Sequence, residues 1–586
     1  MSSKRCEGIG VSPGVVSGRA VVVERGVGDV PERLLEPNDI EAEVTRFDQA
    51  IDAVRSELGS VERRAGREVG EELARIFDAQ KLILDDRSFV ETIRSRIRDD
   101  RRNAEAAVRD VANGLQARFA RIDDSYLRDR GADIETLATH LLRILLGQEA
   151  LRLDHLEESV VVVAHDLSPA ETATLDREHV LGFVTDAGGR TSHTAIMARS
   201  MEIPAVVGTH DATLHVQTGD RVILDGAEGV MIVNPSAEIE AEYEQKRSAY
   251  EDRESVLAAM REELAETPDG LRITLQANLE SVRELEGAHR HGATGIGLYR
   301  SEFLYLRADG ELPDEEAHFE EYRAILQEMG PAQVTIRTMD LGGEKSLPTA
   351  LRAAGDNSLL GLRGIRRSLH DADIFAVQLR GLIRASAYGN LRIVLPFVTE
   401  LAEVLEARKC IDAVAADLRQ SGVAFDEDIP IGAMLEVPAA SLIVEQLSDH
   451  VDFFSVGTND LIQYLLAVDR TNDAVADLYE PLHPGVLRVL NAIATTARER
   501  EIPLCLCGEV AADPLTAMVM IGLGYEDLSM APGSIPVIKN LVRHLPGGDA
   551  RRIAREALAL RTAAEVEEFA LAELMAHLPD DFSVAG

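Results

Sequence analysis

One histidine stands in a stretch that could hold a phosphoryl group. His193 follows a glycine pair and a run of hydroxyl residues within residues 188–199, which read GGRTSHTAIMAR. The spacing of the apolar residues after it predicts an amphipathic helix that begins near the histidine. Backbone N–H groups at a helix N-terminus bind anions, and the helix dipole there disfavours a protonated imidazole. His193 is therefore predicted to be neutral and nucleophilic, although the same short pattern also fits an ordinary capped helix.

Two carboxylates in the C-terminal half follow successive predicted strands. Glu436 lies in the run MLEVP, and Asp460 lies in the run GTND. Proteins hold Mg²⁺ with one or two carboxylates, and substrate oxygens complete the coordination. The pair therefore predicts a Mg²⁺ site, whereas either acid alone would more often be an ion-paired residue at the rim of a barrel.

Arginines in the same half of the chain favour an anionic ligand. Planar guanidinium groups bind phosphate and carboxylate groups through two parallel hydrogen bonds. In a chain this acidic, four arginines near one predicted site indicate a ligand with two anionic groups: Arg300, Arg337, Arg363 and Arg470. Together with a metal site and a histidine elsewhere, they indicate phosphoryl transfer from a small phosphorylated carboxylate.

A cysteine at the end of another predicted strand offers a proton donor. Cys507 lies beside a glycine in the run CLCGE, and a thiol of ordinary pKa can deliver a proton to a carbanion. Free cysteine is also a common small core residue. Cys505, two positions earlier on the same face of the strand, is predicted to be such a core residue.

A repeat of strand-like and helical segments predicts how these side chains meet. Eight strand-like runs separated by helical stretches match a (β/α)8 TIM barrel, whose active site lies where the strands end. Asn459 and most of the candidate residues fall at or just past strand ends, while Arg363 and Arg470 lie in loops. The runs cover residues 273–277, 295–299, 334–337, 392–397, 431–435, 452–456, 503–506 and 527–530.

The pattern changes along the chain, which predicts an α/β multidomain protein. Residues 1–37 and 147–233 carry strand and helix signals and predict one α/β domain around the histidine. Residues 38–146 contain a heptad seam and further amphipathic helices, so they predict an inserted all-helical bundle. Residues 234–266 predict a stiff helical linker of about 45 Å, and residues 267–586 contain the barrel.

Composition limits the expected partners and compartment. The formal net charge of −40 would repel nucleic acid and anionic membranes, whereas it favours a basic protein partner. Lysine is rare and Asp and Glu total 101, a pattern similar to that of halophilic proteins. The four cysteines are too scattered for a disulfide framework, and no apolar run is long enough to cross a membrane. A cytoplasmic protein without membrane insertion is expected.

Several motifs in combination resemble enzyme I of the phosphoenolpyruvate-dependent sugar phosphotransferase system, the family of phosphoenolpyruvate-protein phosphotransferases. The resemblance covers essentially the whole chain. Besides residues 188–199, the motifs are GIGVSPG at residues 8–14, GLYRSEFL at residues 297–304, RTMDLGG at residues 337–343, FFSVGTNDL at residues 453–461 and CGE at residues 507–509.

The resemblance implies that His193 takes the phosphoryl group from phosphoenolpyruvate and passes it to a histidine of the small carrier protein HPr. It also implies that Cys507 protonates the pyruvate enolate and that Glu436 and Asp460 hold Mg²⁺. The side chains expected to bind phosphoenolpyruvate are Arg300, Arg337, Asn459, Asp460 and Arg470, with Arg363 in a motif near them.

The resemblance further implies three functions for the domains. In this family the helical insert docks HPr, the histidine domain swivels between insert and barrel, and the barrel forms a homodimer. Two places depart from the expected pattern. Residues 77–82 read FDAQKL, without the histidine expected on the docking surface, and Leu362 stands where tryptophan is expected. The first departure bears on the partner interface and the second on packing.

Other functions share parts of this pattern. Phosphoenolpyruvate synthase and pyruvate phosphate dikinase also combine a swivelling histidine domain with a barrel. They need an ATP-grasp domain before the histidine, whereas only about 190 residues, mostly predicted bundle helix, precede it here. A regulatory phosphorelay paralogue of enzyme I, which senses nitrogen or metabolism, is expected to carry a further sensor domain before Gly8. A non-catalytic scaffold is expected to lack some of the candidate residues.

Overall fold

The chain folds as two units that divide between Glu251 and Asp252 in the computed structural model. The structure describes residues 3–23, 30–68, 84, 87–119, 134, 137–147, 156, 158–167, 175, 179–189, 194–195, 197–198, 203–307, 312–341, 360–470, 472 and 475–578. The candidate histidine belongs to the first unit, and the candidate arginines, acids and thiol belong to the second.

An eight-stranded sheet forms the base of the first unit. Its strands are β1 Lys4–Glu7, β2 Ile9–Ser12, β3 Val15–Val23, β4 Val160–Ala164, β5 Val180–Thr185, β6 Ala205–Val207, β7 Arg221–Asp225 and β8 Val230–Val233. They lie in the order β1-β8-β7-β3-β4-β5-β6-β2. β4 is buried along its whole length, as expected of a continuous run of β-branched residues between two covered faces. The predicted α/β fold, in which the N-terminal strands join a later sheet, is confirmed.

The helices between β3 and β4 pack around a core of their own. They are α1 Ile40–Glu68, α2 Arg87–Asp99 and α3 Ala104–Phe119, and residues 137–145 are also helical. Phe47 and Val54 of the predicted seam are fully buried in this core. The Arg46 guanidinium lies 2.6 Å from Glu43 and 2.7 Å from Glu105, which joins α1 to α3. Within its described residues the predicted all-helical insert is confirmed, while residues 77–82 lie outside them.

Eight parallel strands close into a barrel in the second unit. They are β9 Thr274–Leu279, β10 Ile296–Arg300, β11 Gln333–Arg337, β12 Asn390–Leu395, β13 Ile431–Met434, β14 Phe453–Gly457, β15 Leu504–Cys507 and β16 Asp527–Met530. Each strand pairs with the next, and β16 pairs with β9, so the sheet has no free edge. The predicted TIM barrel is confirmed, with strand ends shifted by at most two residues from the predicted runs.

The remaining described helices lie between β6 and β7, after β8, or in the second unit. They are α4 Ala212–His215, α5 Ala237–Ala259, α6 Leu285–Arg290, α7 Glu302–Arg307, α8 Glu315–Met329, α9 Ile365–His370, α10 Ala372–Ala385, α11 Leu401–Gln420, α12 Pro438–Leu442, α13 Val444–Ser448, α14 Thr458–Leu466, α15 Pro484–Glu499, α16 Glu509–Ala512, α17 Pro514–Leu523, α18 Ile535–His544, α19 Gly547–Ala557 and α20 Ala563–His577. Short 3₁₀ turns cover Val282–Glu284, Ser386–Tyr388, Ala476–Leu478 and Pro532–Ser534.

The predicted linker is helical over most of its length. α5 contains 23 residues, which corresponds to about 35 Å. Across the described parts of the chain, no helix combines the length and the apolar character that crossing a membrane requires.

The barrel interior leaves no room for a side chain at Gly297. A Cβ atom there would lie 2.4 Å from Ser529 Oγ and 2.6 Å from Gln276 Oε1. Gly297→Ala is therefore expected to lower the free energy of unfolding by ~1–3 kcal/mol through overpacking. The matched control is Gly287→Ala in α6, where a Cβ would meet nothing within 4 Å, and which is expected to stabilise by ~0.5–1 kcal/mol. Thermal unfolding measures both changes, and a wild-type midpoint for Gly297→Ala would contradict this packing.

Candidate active site

Several candidate residues lie at the rim where the barrel strands end. Arg300, Arg337 and Cys507 are the last residues of β10, β11 and β15. Glu436 follows the end of β13, and Asp460 lies in the first turn of α14, directly after β14. Because all eight strands are parallel, these ends meet on one face of the barrel.

Three carboxylates converge at this rim. One oxygen from each of Asp340, Glu436 and Asp460 lies within 4.8 Å of the other two. Asp340 and Glu436 are buried, and the Asp460 side chain is 16% exposed. Burial raises the pKa of Glu436 to about 8, and the two neighbouring carboxylates add to this effect. The three carboxylates lie close enough to share one cation, and their oxygens are ligands that fit a divalent cation such as Mg²⁺.

Arg337 compensates part of this negative charge. Its guanidinium lies 3.1 Å from Asp340 and 4.0 Å from Glu436. It also donates a hydrogen bond to Glu302, which is fully buried. Burial alone would lower the pKa of Arg337, but the three carboxylates outweigh burial and raise it, so the guanidinium stays charged.

Arg363 joins two of the acids. It donates to both oxygens of Asp340, at 3.1 and 2.9 Å, and to Asp460 at 2.8 Å. Its third nitrogen lies 3.2 Å from Tyr464 OH. Burial opposes the charge on Arg363, yet the two aspartates raise its pKa. Arg337 and Arg363 thus face four carboxylates, which leaves a net charge of −2 when all four are ionised.

A backbone N–H group holds the Glu436 carboxylate oxygen that does not face Arg337. The Phe397 N–H donates to Glu436 Oε1 at 2.5 Å, and Phe397 has φ +58°, a region that bulky residues rarely adopt. Its ring centroid lies 4.8 Å from Arg363 Cζ. Gly364 passes so close that a Cβ atom would lie 2.4 Å from Phe397 Cβ. A glycine at position 364 is therefore required for Phe397 to reach Glu436.

The Cys507 thiol is buried at the same rim. Its Sγ lies 3.2 Å from the Val456 carbonyl oxygen and 3.4 Å from Ser455 Oγ. Burial raises the pKa of Cys507, although the hydrogen bond with Ser455 opposes this effect. The thiol therefore keeps its proton at neutral pH, which is the form that a proton donor requires.

Arg300, Asn459 and Arg470 lie outside the buried cluster. Arg300 pairs with Glu280, and Arg470 lies 3.2 Å from Glu509. Asn459 Oδ1 accepts a hydrogen bond from the Glu509 N–H at 3.1 Å. The two arginine side chains are 31% and 36% exposed, and the Glu280 and Glu509 side chains are 37% and 74% exposed. Because exposed ion pairs contribute little, an anionic ligand can replace these carboxylates at small cost.

His193 lies outside the described residues, but residues 186–189, which precede it, are described. Asp186, just before the glycine pair, accepts hydrogen bonds from Thr209 Oγ1 at 3.1 Å and from the Thr213 N–H at 3.2 Å. Residues 194–195, directly after the histidine, are helical and buried. The described residues on both sides of His193 are therefore anchored within the first unit.

Three family models match the chain. The N-terminal domain of the PEP-utilising enzymes matches residues 7–130, and their mobile domain matches residues 156–229. Their PEP-binding domain matches residues 254–546, a range that contains all eight barrel strands.

Curated relatives match nearly the full length. The phosphoenolpyruvate-protein phosphotransferase of Bacillus sp. (strain S) is 41% identical over 566 residues, which cover 97% of this chain and 97% of the relative. That of Geobacillus stearothermophilus is 40% identical over the same shares. That of Haemophilus influenzae is 38% identical and covers 96% of this chain and 97% of the relative. The chain belongs to the phosphoenolpyruvate-protein phosphotransferase family. The resemblance that the motifs predict is thereby confirmed.

Sequence reasoning misses several side chains of the candidate site in this phosphotransferase. Asp340 completes the acid cluster, Glu302 accepts a hydrogen bond from Arg337, and Tyr464 contacts Arg363. Asp340 lies three residues after Arg337, so its place just past a strand end is a signal that could have identified it. Tyr464 lies one turn after Asp460 on α14 and has no comparable strand-end signal.

Asp340→Asn is expected to weaken divalent-cation binding by about 10- to 100-fold, because it removes a charged oxygen from the cluster and leaves two arginines less compensated. Electron paramagnetic resonance of added Mn²⁺ measures the affinity without turnover. Asp412→Asn is the matched control, since Asp412 is an exposed aspartate on α11. Equal Mn²⁺ affinity in Asp340→Asn and wild type would exclude Asp340 from the cation site.

Proposed function

We propose that this protein transfers the phosphoryl group of phosphoenolpyruvate to His193 and then to a histidine of the carrier protein HPr, with release of pyruvate. This reaction is the first step of a sugar phosphotransferase system. One observation carries the proposal: a buried arginine and carboxylate cluster lies where the barrel strands end, in a chain that matches phosphoenolpyruvate-protein phosphotransferases over nearly its full length.

The substrate carries a phosphate and a carboxylate, and guanidinium groups bind both in a bidentate manner. Arg300 and Arg470 exchange their carboxylate partners, Glu280 and Glu509, for substrate. The buried guanidinium groups stay charged because of the surrounding acids. The side chains proposed to bind substrate are Arg300, Arg337, Arg363, Asn459, Asp460 and Arg470.

Mg²⁺ is the proposed cofactor, with Glu436 and Asp460 as ligands and Asp340 as a third oxygen donor. The chemistry that bound Mg²⁺ supplies is neutralisation of negative charge on the phosphate and enolate oxygens. Arg363 holds the two aspartates, and the Phe397 N–H holds Glu436. These contacts orient the carboxylates before substrate binds.

In the transfer step, a ring nitrogen of His193 attacks phosphorus, and the bond between phosphorus and the enol oxygen breaks. The electron pair of that bond stays on the enolate of pyruvate. The Cys507 thiol then donates its proton to the enolate carbon, and the thiolate regains a proton from solvent. Because burial raises the pKa of Cys507, the donor is protonated before each cycle.

The proposed division of the chain follows from this function. Residues 1–37 and 147–233 form the swivelling histidine domain, and residues 38–146 form the HPr-binding insert. Residues 234–266 act as a helical hinge arm, and residues 267–586 form the phosphoenolpyruvate-binding and dimerisation domain. Movement is required because one imidazole must reach a donor and an acceptor. The net charge of −40 favours a basic docking surface on HPr, and we propose a cytoplasmic homodimer.

His193→Ala is expected to abolish labelling by radioactive phosphoenolpyruvate in the presence of Mg²⁺, because no other side chain is proposed to accept the phosphoryl group. Wild type is expected to acquire an acid-labile, base-stable label, as phosphohistidine does. His215→Gln, which changes an exposed histidine of the same unit, is expected to label normally. The proposed function is wrong if wild type acquires no label, or if His193→Ala acquires as much as wild type.

Cys507→Ala is expected to slow pyruvate formation by about 10²- to 10⁴-fold, because it removes the proton donor, while the affinity for phosphoenolpyruvate stays the same. Turnover is followed by pyruvate release and affinity by calorimetry. Cys505→Ala is the matched control, since Cys505 is buried two positions earlier on the same strand. Wild-type turnover in Cys507→Ala would remove the thiol from the mechanism.

A further inference from the structure

Gln378 is a buried amide that reaches the end of β11 from α10. The whole residue is buried. Gln378 Oε1 accepts a hydrogen bond from the Met339 N–H at 2.9 Å. Gln378 Nε2 donates to Ser301 Oγ at 2.9 Å and to Tyr322 OH at 3.1 Å. Both N–H groups and the carbonyl oxygen of the amide are therefore engaged.

Ser301 extends this contact to Arg337. Ser301 Oγ donates to the Arg337 carbonyl oxygen at 2.6 Å. Gln378 is thus connected to the Arg337 carbonyl through one hydroxyl group and to the Met339 N–H directly. The Arg337 carbonyl and the Met339 N–H belong to the two peptide groups that flank Thr338. Gln378 therefore holds the chain at the point where it leaves the strand.

The chain at this point carries two charged groups of the cluster. Arg337 is the last residue of β11, and its guanidinium lies 3.1 Å from Asp340, three residues later. Rotation of either peptide group beside Thr338 would turn one charged side chain relative to the other. The spacing of the two groups therefore depends on what holds those peptides.

A buried tyrosine and histidine fix the orientation of the amide. Tyr322 OH accepts from Gln378 and lies 2.9 Å from His318 Nδ1, one turn away on α8. Burial lowers the pKa of His318 to about 4, so its ring is neutral at pH 7 and Nδ1 can accept the tyrosine proton. If the Gln378 amide were flipped, its NH₂ group would face the Met339 N–H, and two donors would then oppose each other. The hydrogen bonds therefore permit one orientation.

We propose that Gln378 is a positioning residue for the phosphoenolpyruvate-dependent step: it holds both peptide groups beside Thr338, so that Arg337 and Asp340 keep the spacing that the substrate and the cation require. This inference rests on the proposed function and deepens it. Gln378 acts through Ser301 and through the Met339 peptide, not by touching the reacting atoms.

Gln378→Met and Ser301→Ala in the full-length protein test the inference. Methionine has a similar length and shape but provides neither the N–H donors nor the carbonyl acceptor of the amide. Gln378→Met is expected to lower kcat/KM for phosphoenolpyruvate by about 10- to 100-fold, since small misplacements in a site have effects of this size. Ser301→Ala is expected to cause a smaller loss. The double variant is expected to lose less than the product of the two single losses, because both act through the Arg337 carbonyl.

Two further measurements separate positioning from general damage. Transfer from phosphorylated HPr back to His193 does not use the barrel in the proposed function, so it is expected to keep its wild-type rate in Gln378→Met. Mn²⁺ affinity is expected to fall with kcat/KM, since Asp340 moves. The matched control is Asn540→Leu, which removes a buried amide from α18 that has no hydrogen-bond partner among the described residues. It is expected to leave both quantities unchanged.

Each outcome decides between the two hypotheses. If wild type acquires no phosphoryl group from phosphoenolpyruvate, the proposed function is wrong and the inference falls with it. If wild type is active and folded Gln378→Met has the same kcat/KM, the inference alone is overturned. If Gln378→Met does not fold, the inference is tested with Ser301→Ala alone. A wild-type kcat/KM in Ser301→Ala then overturns the inference. Fully multiplicative losses in the double variant also overturn it.

Discussion

The barrel rim depends on balancing buried charges of opposite sign. Arg337 and Arg363 each contact at least two carboxylates, and Asp340 is shared between them. Buried charges are costly unless they are paired, so no member of such a network can be removed without leaving another uncompensated. The acids still outnumber the arginines, and burial together with the neighbouring Asp340 and Asp460 raises the pKa of Glu436. A divalent cation is the ligand that restores the balance.

Contacts behind the cluster keep these charged groups in place. On one side, the Phe397 N–H holds Glu436, which is possible because Gly364 leaves space for it. On another side, Gln378 contacts the chain at the end of β11. Nearer the solvent, the Arg300 guanidinium pairs with half-buried Glu280 and the Arg470 guanidinium with exposed Glu509. The site thus combines a fixed interior, which needs little reorganisation during a reaction, with a rim whose ion pairs can be exchanged for an anionic ligand.

The first unit accommodates a large insert without interrupting its sheet. β3 ends at Val23 and β4 begins at Val160, yet the two strands pair in parallel from Arg19 with Val160 to Val23 with Ala164. A parallel pair needs a long crossover, because the chain must return to the other end of the sheet. The helical segment is that crossover. The α/β sheet and the helical insert can therefore share one unit of the fold.

The sequence alone was sufficient to predict the family, because several motifs in combination resemble it. It also predicted the eight barrel strands and the strand-end positions of Arg300, Arg337, Glu436 and Cys507, because buried parallel strands are continuous apolar runs that end at polar residues. It could not show which of these groups meet. Arg363 and Asp460 are 97 residues apart, and Gln378 and Ser301 are 77 residues apart. Periodicity records which residues are buried but not their partners in space. The shared role of Asp340, the Phe397 N–H on Glu436 and the reach of Gln378 were decided only when closure of the barrel placed its loops and outer helices around one rim.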